Sequence, residues 1–193
     1  MLKRREMNPE GKRANIIASA EALFAANGYT GTSIADVAKE AGVAVGTVYR
    51  LFPDKPALLA ALHIRMEDGF IEAMQRGWSS ATRFEDRFAP MISAILDKVS
   101  EIKDVMPLYA MTKDMVGATD YVPNARMIKV IAQLYGEGVQ AGAYRSIPAD
   151  IQAPLAHAMV EGGMRAWMND PTPVNLTRIK TEVAKVFCRA FVA

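Results

Sequence analysis

The chain of 193 residues contains a single cysteine, Cys188, and only two histidines. One thiol cannot close an intrachain disulfide and cannot assemble a cysteine-rich metal site, so a reducing compartment is expected. No run of about 18 uninterrupted apolar residues occurs, so no membrane-spanning helix is expected. The opening MLKRREMNPEGKR has cations with no apolar stretch behind them, which argues against a secretory signal. Period-two alternation, internal repeats and low-complexity tracts are also missing. These absences predict a cytoplasmic, all-α protein with no membrane partner and no cofactor. Its 51% hydrophobic residues suffice to bury a sizeable core.

The net charge of +2 conceals an asymmetry, because residues 1–55 carry eight Lys and Arg against six Asp and Glu, and the remainder carries fifteen of each. At the very start, Lys3, Arg4, Arg5, Lys12 and Arg13 oppose only Glu6 and Glu10. Asn8-Pro9-Glu10 reads as a cap, a proline at the first helical position and an acid in the first turn, which predicts a helix over 9–27 with Ile16, Ala20, Leu23 and Phe24 buried. After Pro53, Asp54 can cap a long fourth helix, in which Leu59, Leu62, Met66, Phe70 and Met74 keep helical spacing almost to Trp78. Five more helical segments follow, separated by turn clusters at 79–82, 117–120, 142–149 and 169–173. The last carries the stripe Leu176, Ile179, Val183, Val186, Phe187, Ala190 and Phe191.

Between these helices lies TSIADVAKEAGVAVGTVYRLFPDK, residues 32–55. Ile34, Val37, Ala38 and Ala41 share one face of a helix that Thr32 or Ser33 can cap. Gly42 can close that helix in the left-handed conformation, and Val43, Val48, Leu51 and Phe52 supply the apolar side of a second one starting near Val45. Two short helices around a tight turn form a helix-turn-helix pattern, in which the second helix enters the DNA major groove. The adjoining basic end then suggests phosphate contacts.

From Arg13 to Leu59, with IIASAEALFAANGYTGTS leading into IADVAKEAGVAVGTVYRLFPDKPALL, the chain resembles the N-terminal DNA-binding domain of the tetracycline-repressor (TetR) family. The likeness rests on Phe24, the Asn27-Gly28-Tyr29 stop, the Ala41-Gly42-Val43 turn, Gly46-Thr47-Val48-Tyr49, Phe52, and Lys55 before Leu58 and Leu59. It implies an N-terminal three-helix DNA-binding domain over 1–55 and a C-terminal helical domain over 56–193 for ligand binding and dimerisation. It further implies that Val45, Gly46, Thr47 and Arg50 face base edges. Arg50 can present a fork of donors to guanine, Thr47 can bond a base or phosphate, Val45 can pack on a thymine methyl, and Gly46 permits close backbone approach. By the same resemblance, Tyr49, Lys55, Thr32 and Ser33 are expected at phosphates, Ser33 being equally suited to a purely capping role. Ala44 departs from the pattern, since a hydroxyl residue commonly caps the recognition helix there.

Ten of the twelve methionines lie at or beyond Met66, and methionine suits cavities that accept irregular apolar ligands. The family lines its pocket from central helices, which makes Met66, Phe70, Met91, Ile95, Met106, Tyr109, Met111, Met127 and Ile131 the expected ligand contacts. Gly162 and Gly163 allow close helix approach and Trp167 can anchor an interface, so the eighth and ninth helices, with Val183 and Phe187, are expected to join two subunits. His157 and Glu161 share a helix face, but no third ligand stands at suitable spacing for zinc. The expected function is a one-component transcriptional regulator, a repressor: a homodimer on palindromic double-stranded operator DNA, released by a small apolar or amphipathic effector. The alternatives are a constitutive DNA-binding dimer and, more remotely, an all-α enzyme using His157 and Glu161.

Overall fold

A computed structural model describes residues 8–111 and 124–193, the side chains of 109–111 excepted. Among the described residues the chain forms nine α-helices: α1 Pro9–Asn27, α2 Ile34–Glu40, α3 Val45–Leu51, α4 Lys55–Ser79, α5 Phe88–Glu101, α6 Met106–Met111, α7 Ala125–Gln140, α8 Ala149–Asn169 and α9 Pro173–Phe191. An isolated antiparallel bridge pairs Tyr144 with Val192. No described helix is long and apolar enough to cross a membrane. The turn expected at 117–120 lies outside the described residues.

Two compact units are present, one built from residues 8–66 with 104–111 and the other from 67–103 with 124–193. In the first, Asn8 caps α1 by accepting the Gly11 N–H at 2.7 Å, and Pro9 opens the helix without wasting a donor. Ile16, Ala20 and Phe24 of α1 meet the demand of burial together with Ile34, Val37 and Ala38 of α2 and Val48 of α3, and all are at most 8% exposed. Leu23 is only half-buried. Each fully buried side chain of this size contributes ~1.5–3 kcal/mol, enough for three short helices that would not persist alone. Gly42 turns the chain at φ 64°, which lets the Val43 N–H reach back to the Ala38 carbonyl at 3.0 Å and closes α2.

The second unit packs α5 against α9, α7 against α8, and α8 against α9. Its centre is aromatic. Tyr144 stacks between Phe88 (centroids 4.8 Å apart) and Tyr135 (5.4 Å), while Trp78 meets Phe88 edge-on at 5.8 Å. The Tyr144 hydroxyl donates to the Phe84 carbonyl at 2.6 Å, so this buried phenol keeps a partner, and burial holds its acidity far below that of free tyrosine.

Most of the residues expected at a subunit interface are covered within one subunit. Trp167 and Phe187 are 2% and 1% exposed within a single subunit, Trp167 donating its indole N–H to the Thr172 carbonyl and Phe187 packing on Phe88 and Phe191. Gly163 is also internal: a Cβ there would come within 2.9 Å of Val183 Cγ2, so the glycine serves α8–α9 packing, and Val183 is half-buried against it. Only Gly162 of that set stands exposed, with open space around it. The apolar side chains that these helices leave in water include Ile151 (56% exposed), Leu155 (49%) and Met168 (36%) on α8, and Val174 (82%) and Val186 (50%) on α9. Ile151, Leu155, Ala158 and Gly162 recur at three- and four-residue spacing along one exposed stripe.

Candidate nucleic-acid interface

α2 begins with a reciprocal cap. Ser33 Oγ accepts the Asp36 N–H at 3.1 Å, and Asp36 Oδ2 accepts the Ser33 N–H at 2.9 Å and its hydroxyl at 2.6 Å. These bonds from Ser33 hold the Asp36 carboxyl below the usual carboxylate range. The Ser33 side chain thus fills the capping role, with its proton directed at an acid.

Thr32 is a clear correction. It is 2% exposed, and its hydroxyl donates to the carbonyls of Leu23 (3.2 Å) and Gly28 (3.0 Å). These bonds tie the segment after α1 back to the helix and to its own turn, so the Thr32 side chain faces the protein and not a phosphate.

α3 turns its two sides to different uses. Val48 is wholly buried, whereas Val45 is 41% and Tyr49 52% exposed. Gly46 and Arg50 are exposed as well, and Thr47 is half-buried. No atom lies within 4 Å of where a Gly46 Cβ would be, so this side of the helix is open to a close-fitting partner. Ala44, at the cap position, makes no side-chain bond to the helix, while the Thr47 N–H donates to the Ala44 carbonyl at 2.8 Å. α1 is tied to the turn by Asn15, whose amide donates to the Ala41 carbonyl at 2.8 Å.

Two cations of the first unit rest on aromatic rings. Lys55 Nζ stands 4.3 Å from the centroid of Tyr29, and the Arg13 guanidinium 5.2 Å from that of Phe52. Arg65, by contrast, is paired with Glu21. Arg13 was legible only as part of a basic end; Tyr29 gave no signal as part of a site, because sequence spacing does not show that the end of α1 meets the start of α4.

The expected ligand contacts divide between the units. Met66 and Met106 are buried in the first; Phe70, Met91 and Ile95 are buried in the second, where Met127 and Ile131 are half-buried. The side chains of Tyr109 and Met111 lie outside the described residues. His157 and Glu161 are half-buried on α8, and Glu161 accepts a bond from Arg165 at 3.4 Å. Among the described residues no group of three or more His, Cys, Asp or Glu could hold a metal.

This three-helix arrangement has known counterparts. The family model described as bacterial regulatory proteins, tetR family, matches residues 16–62. The chain is 34% identical over 82 residues to the fatty acid metabolism regulator protein of Bacillus subtilis (strain 168), covering 42% of each chain. It is 30% identical over 107 residues to the HTH-type transcriptional regulator HbdR of Aromatoleum sp. (strain CIB), covering 55% of this chain and 47% of that one. The match thus spans less than half the length of either relative. Across nearly its whole length the fold is that of the transcriptional regulator FadR from Bacillus subtilis, solved in complex with stearoyl-CoA: the TM-score is 0.67 at 19% identity, over 91% of this chain and 97% of that one. Residues 16–62 thus carry the tetR-family region of bacterial regulatory proteins, and the chain shares the fold of a solved regulator.

Proposed function

We infer that the chain is a one-component transcriptional repressor, in which residues 1–55 read a palindromic operator as half of a homodimer and residues 56–193 bind a small apolar or amphipathic effector. The observation that carries this reading is the divided surface of α3. A helix with Val48 wholly buried still leaves Val45 and Tyr49 in water beside the half-buried Thr47 and exposed Arg50, an apolar and donor-bearing edge turned to solvent. A major groove offers what such an edge can read: thymine methyls for Val45, and acceptors on guanine for Arg50. The second copy is seated on the α8 stripe of Ile151, Leu155, Ala158 and Gly162, extended by Val186 of α9.

Effector binding favours a conformation in which the two recognition helices no longer match successive half-sites, and the coupling is reciprocal. Long-chain acyl thioesters are the first compounds to test, being amphipathic and represented by the stearoyl-CoA bound to the Bacillus subtilis regulator. The experiment is selection of duplexes from a random pool by the full chain, followed by competition with stearoyl-CoA and a panel of amphipathic compounds. Enrichment of a palindrome that a compound then releases is the expected result. A pool that stays unselected overturns the operator reading. A palindrome that no compound releases favours a constitutive DNA-binding dimer.

A further inference from the structure

We propose that Tyr29 is a positioning residue for DNA binding, holding the ammonium of Lys55 on its ring so that the charge meets a backbone phosphate already oriented. This rests on the DNA-binding reading above, and it gives a role to a residue that need not touch DNA.

The loop that carries Tyr29 is itself fixed. Gly28 leaves α1 at φ 77°, a conformation costly for other residues, and the buried Thr32 hydroxyl ties the far end of the loop to the Leu23 and Gly28 carbonyls. Phe24, 2% exposed in the core, meets the Tyr29 ring edge-on with centroids 5.2 Å apart. A ring braced in this way presents a defined face, and Lys55 Nζ lies 4.3 Å from its centroid, well within the range of cation–π attraction.

What surrounds Lys55 matters as much as what holds it. Among the described residues no carboxylate forms an ion pair with Lys55. The neighbouring Asp54 is engaged elsewhere, accepting the Ala57 N–H at 2.7 Å to cap α4. A carboxylate partner would fix the lysine but also neutralise it, and a phosphate would have to displace that partner. An aromatic face restrains the ammonium while leaving its full charge and its N–H donors available. Lysine has a long, rotamer-rich side chain, so restraint before binding lowers the ordering cost when the phosphate arrives.

The test is a double-mutant cycle on the full chain, read by fluorescence anisotropy with a short labelled DNA duplex of arbitrary sequence. Tyr29→Phe keeps the ring and is expected to bind as the parent does. Tyr29→Leu is expected to weaken binding by roughly two- to five-fold, the size of an exposed cation–π contact, and to have no further effect in a Lys55→Ala background. Equal losses from Tyr29→Leu in both backgrounds would assign the ring a purely structural role and overturn the proposal. Should the leucine variant not fold, a series of fluorinated phenylalanines at position 29 removes the ring's negative face at nearly constant shape. Affinity falling with each added fluorine supports the proposal, and a flat series overturns it. A parent chain that fails to bind the duplex at low salt overturns the DNA-binding reading itself, which is a distinct result.

Discussion

Glu67 on α4 accepts the backbone N–H of Met127, the third residue of α7, at 3.0 Å. Asn124, which precedes α7, sits in the left-handed region at φ 64° and makes no side-chain cap, so a carboxylate sixty residues earlier does the capping. Its other oxygen lies 3.9 Å from the Arg126 guanidinium. Glu67 is wholly buried, and desolvation raises its carboxyl above the ordinary glutamate value of 4.5 despite the Met127 bond and Arg126.

A raised acid favours the folded state in its protonated form, so its contribution is fully present below pH 4.5 and is lost as the pH climbs through the folded value. Glu67→Gln keeps an acceptor for Met127 without the charge. Its thermal midpoint is expected to gain on that of the parent as pH rises from 4.5. A constant difference between the two across the pH series would show that Glu67 does not titrate in this way.

Gly46→Ala separates folding from reading. Gly46 is the second residue of α3, where a glycine costs at most the helix-interior value of about 0.5–1 kcal/mol relative to alanine, and the new methyl meets nothing within 4 Å. Urea unfolding should therefore show a gain of that order. Operator affinity should fall, because the methyl projects where the helix is proposed to approach the bases. A variant more stable and equally tight would remove Gly46 from the interface.

Gly138 is a different kind of glycine. A Cβ there would fall 2.1 Å from the ring of Tyr144, which Phe88 and Tyr135 hold on both faces. Gly138→Ala must shift that ring, and overpacking of this kind costs about 1–3 kcal/mol, to which loss of the Tyr144 bond to Phe84 would add. Denaturant unfolding measures it.

Ile151→Glu with Leu155→Glu should yield folded monomers in sedimentation, since both side chains are exposed within the subunit. Trp167→Glu should instead unfold the C-terminal unit, placing a charge where 2% of the residue meets water. A double-glutamate variant that stays dimeric moves the interface off this stripe.

Why the first three helices were readable and the covering of Trp167 and Phe187 was not follows from what each signal encodes. Asn8-Pro9, Gly42 and the spacing of Ile34, Val37 and Ala38 act within a few residues of themselves, so the local pattern specifies the local structure. The apolar series on α4, from Leu59 and Leu62 to Met74 and Trp78, is likewise buried throughout, because helical period and burial are one geometric fact. Hydrophobicity says that Trp167 and Phe187 avoid water but not which chain covers them. Thr32 misled for a related reason: a hydroxyl suits a phosphate and a backbone carbonyl equally, and only the backbone path decides between them. The meeting of Tyr29 with Lys55 is long-range and leaves no periodic trace.

The aromatic centre of the second unit has an optical consequence. The only two tryptophans, Trp78 and Trp167, are both buried there, and the unit that carries the helix-turn-helix has none. Trp78 is ringed by Phe84, Phe88 and Tyr144, with the Arg87 guanidinium 5.5 Å from its ring. Tryptophan emission therefore originates entirely in the second unit, whereas α3 belongs to the first. A change in its colour or intensity on adding DNA would report on the second unit alone, so the unlabelled protein carries its own probe of how that unit responds.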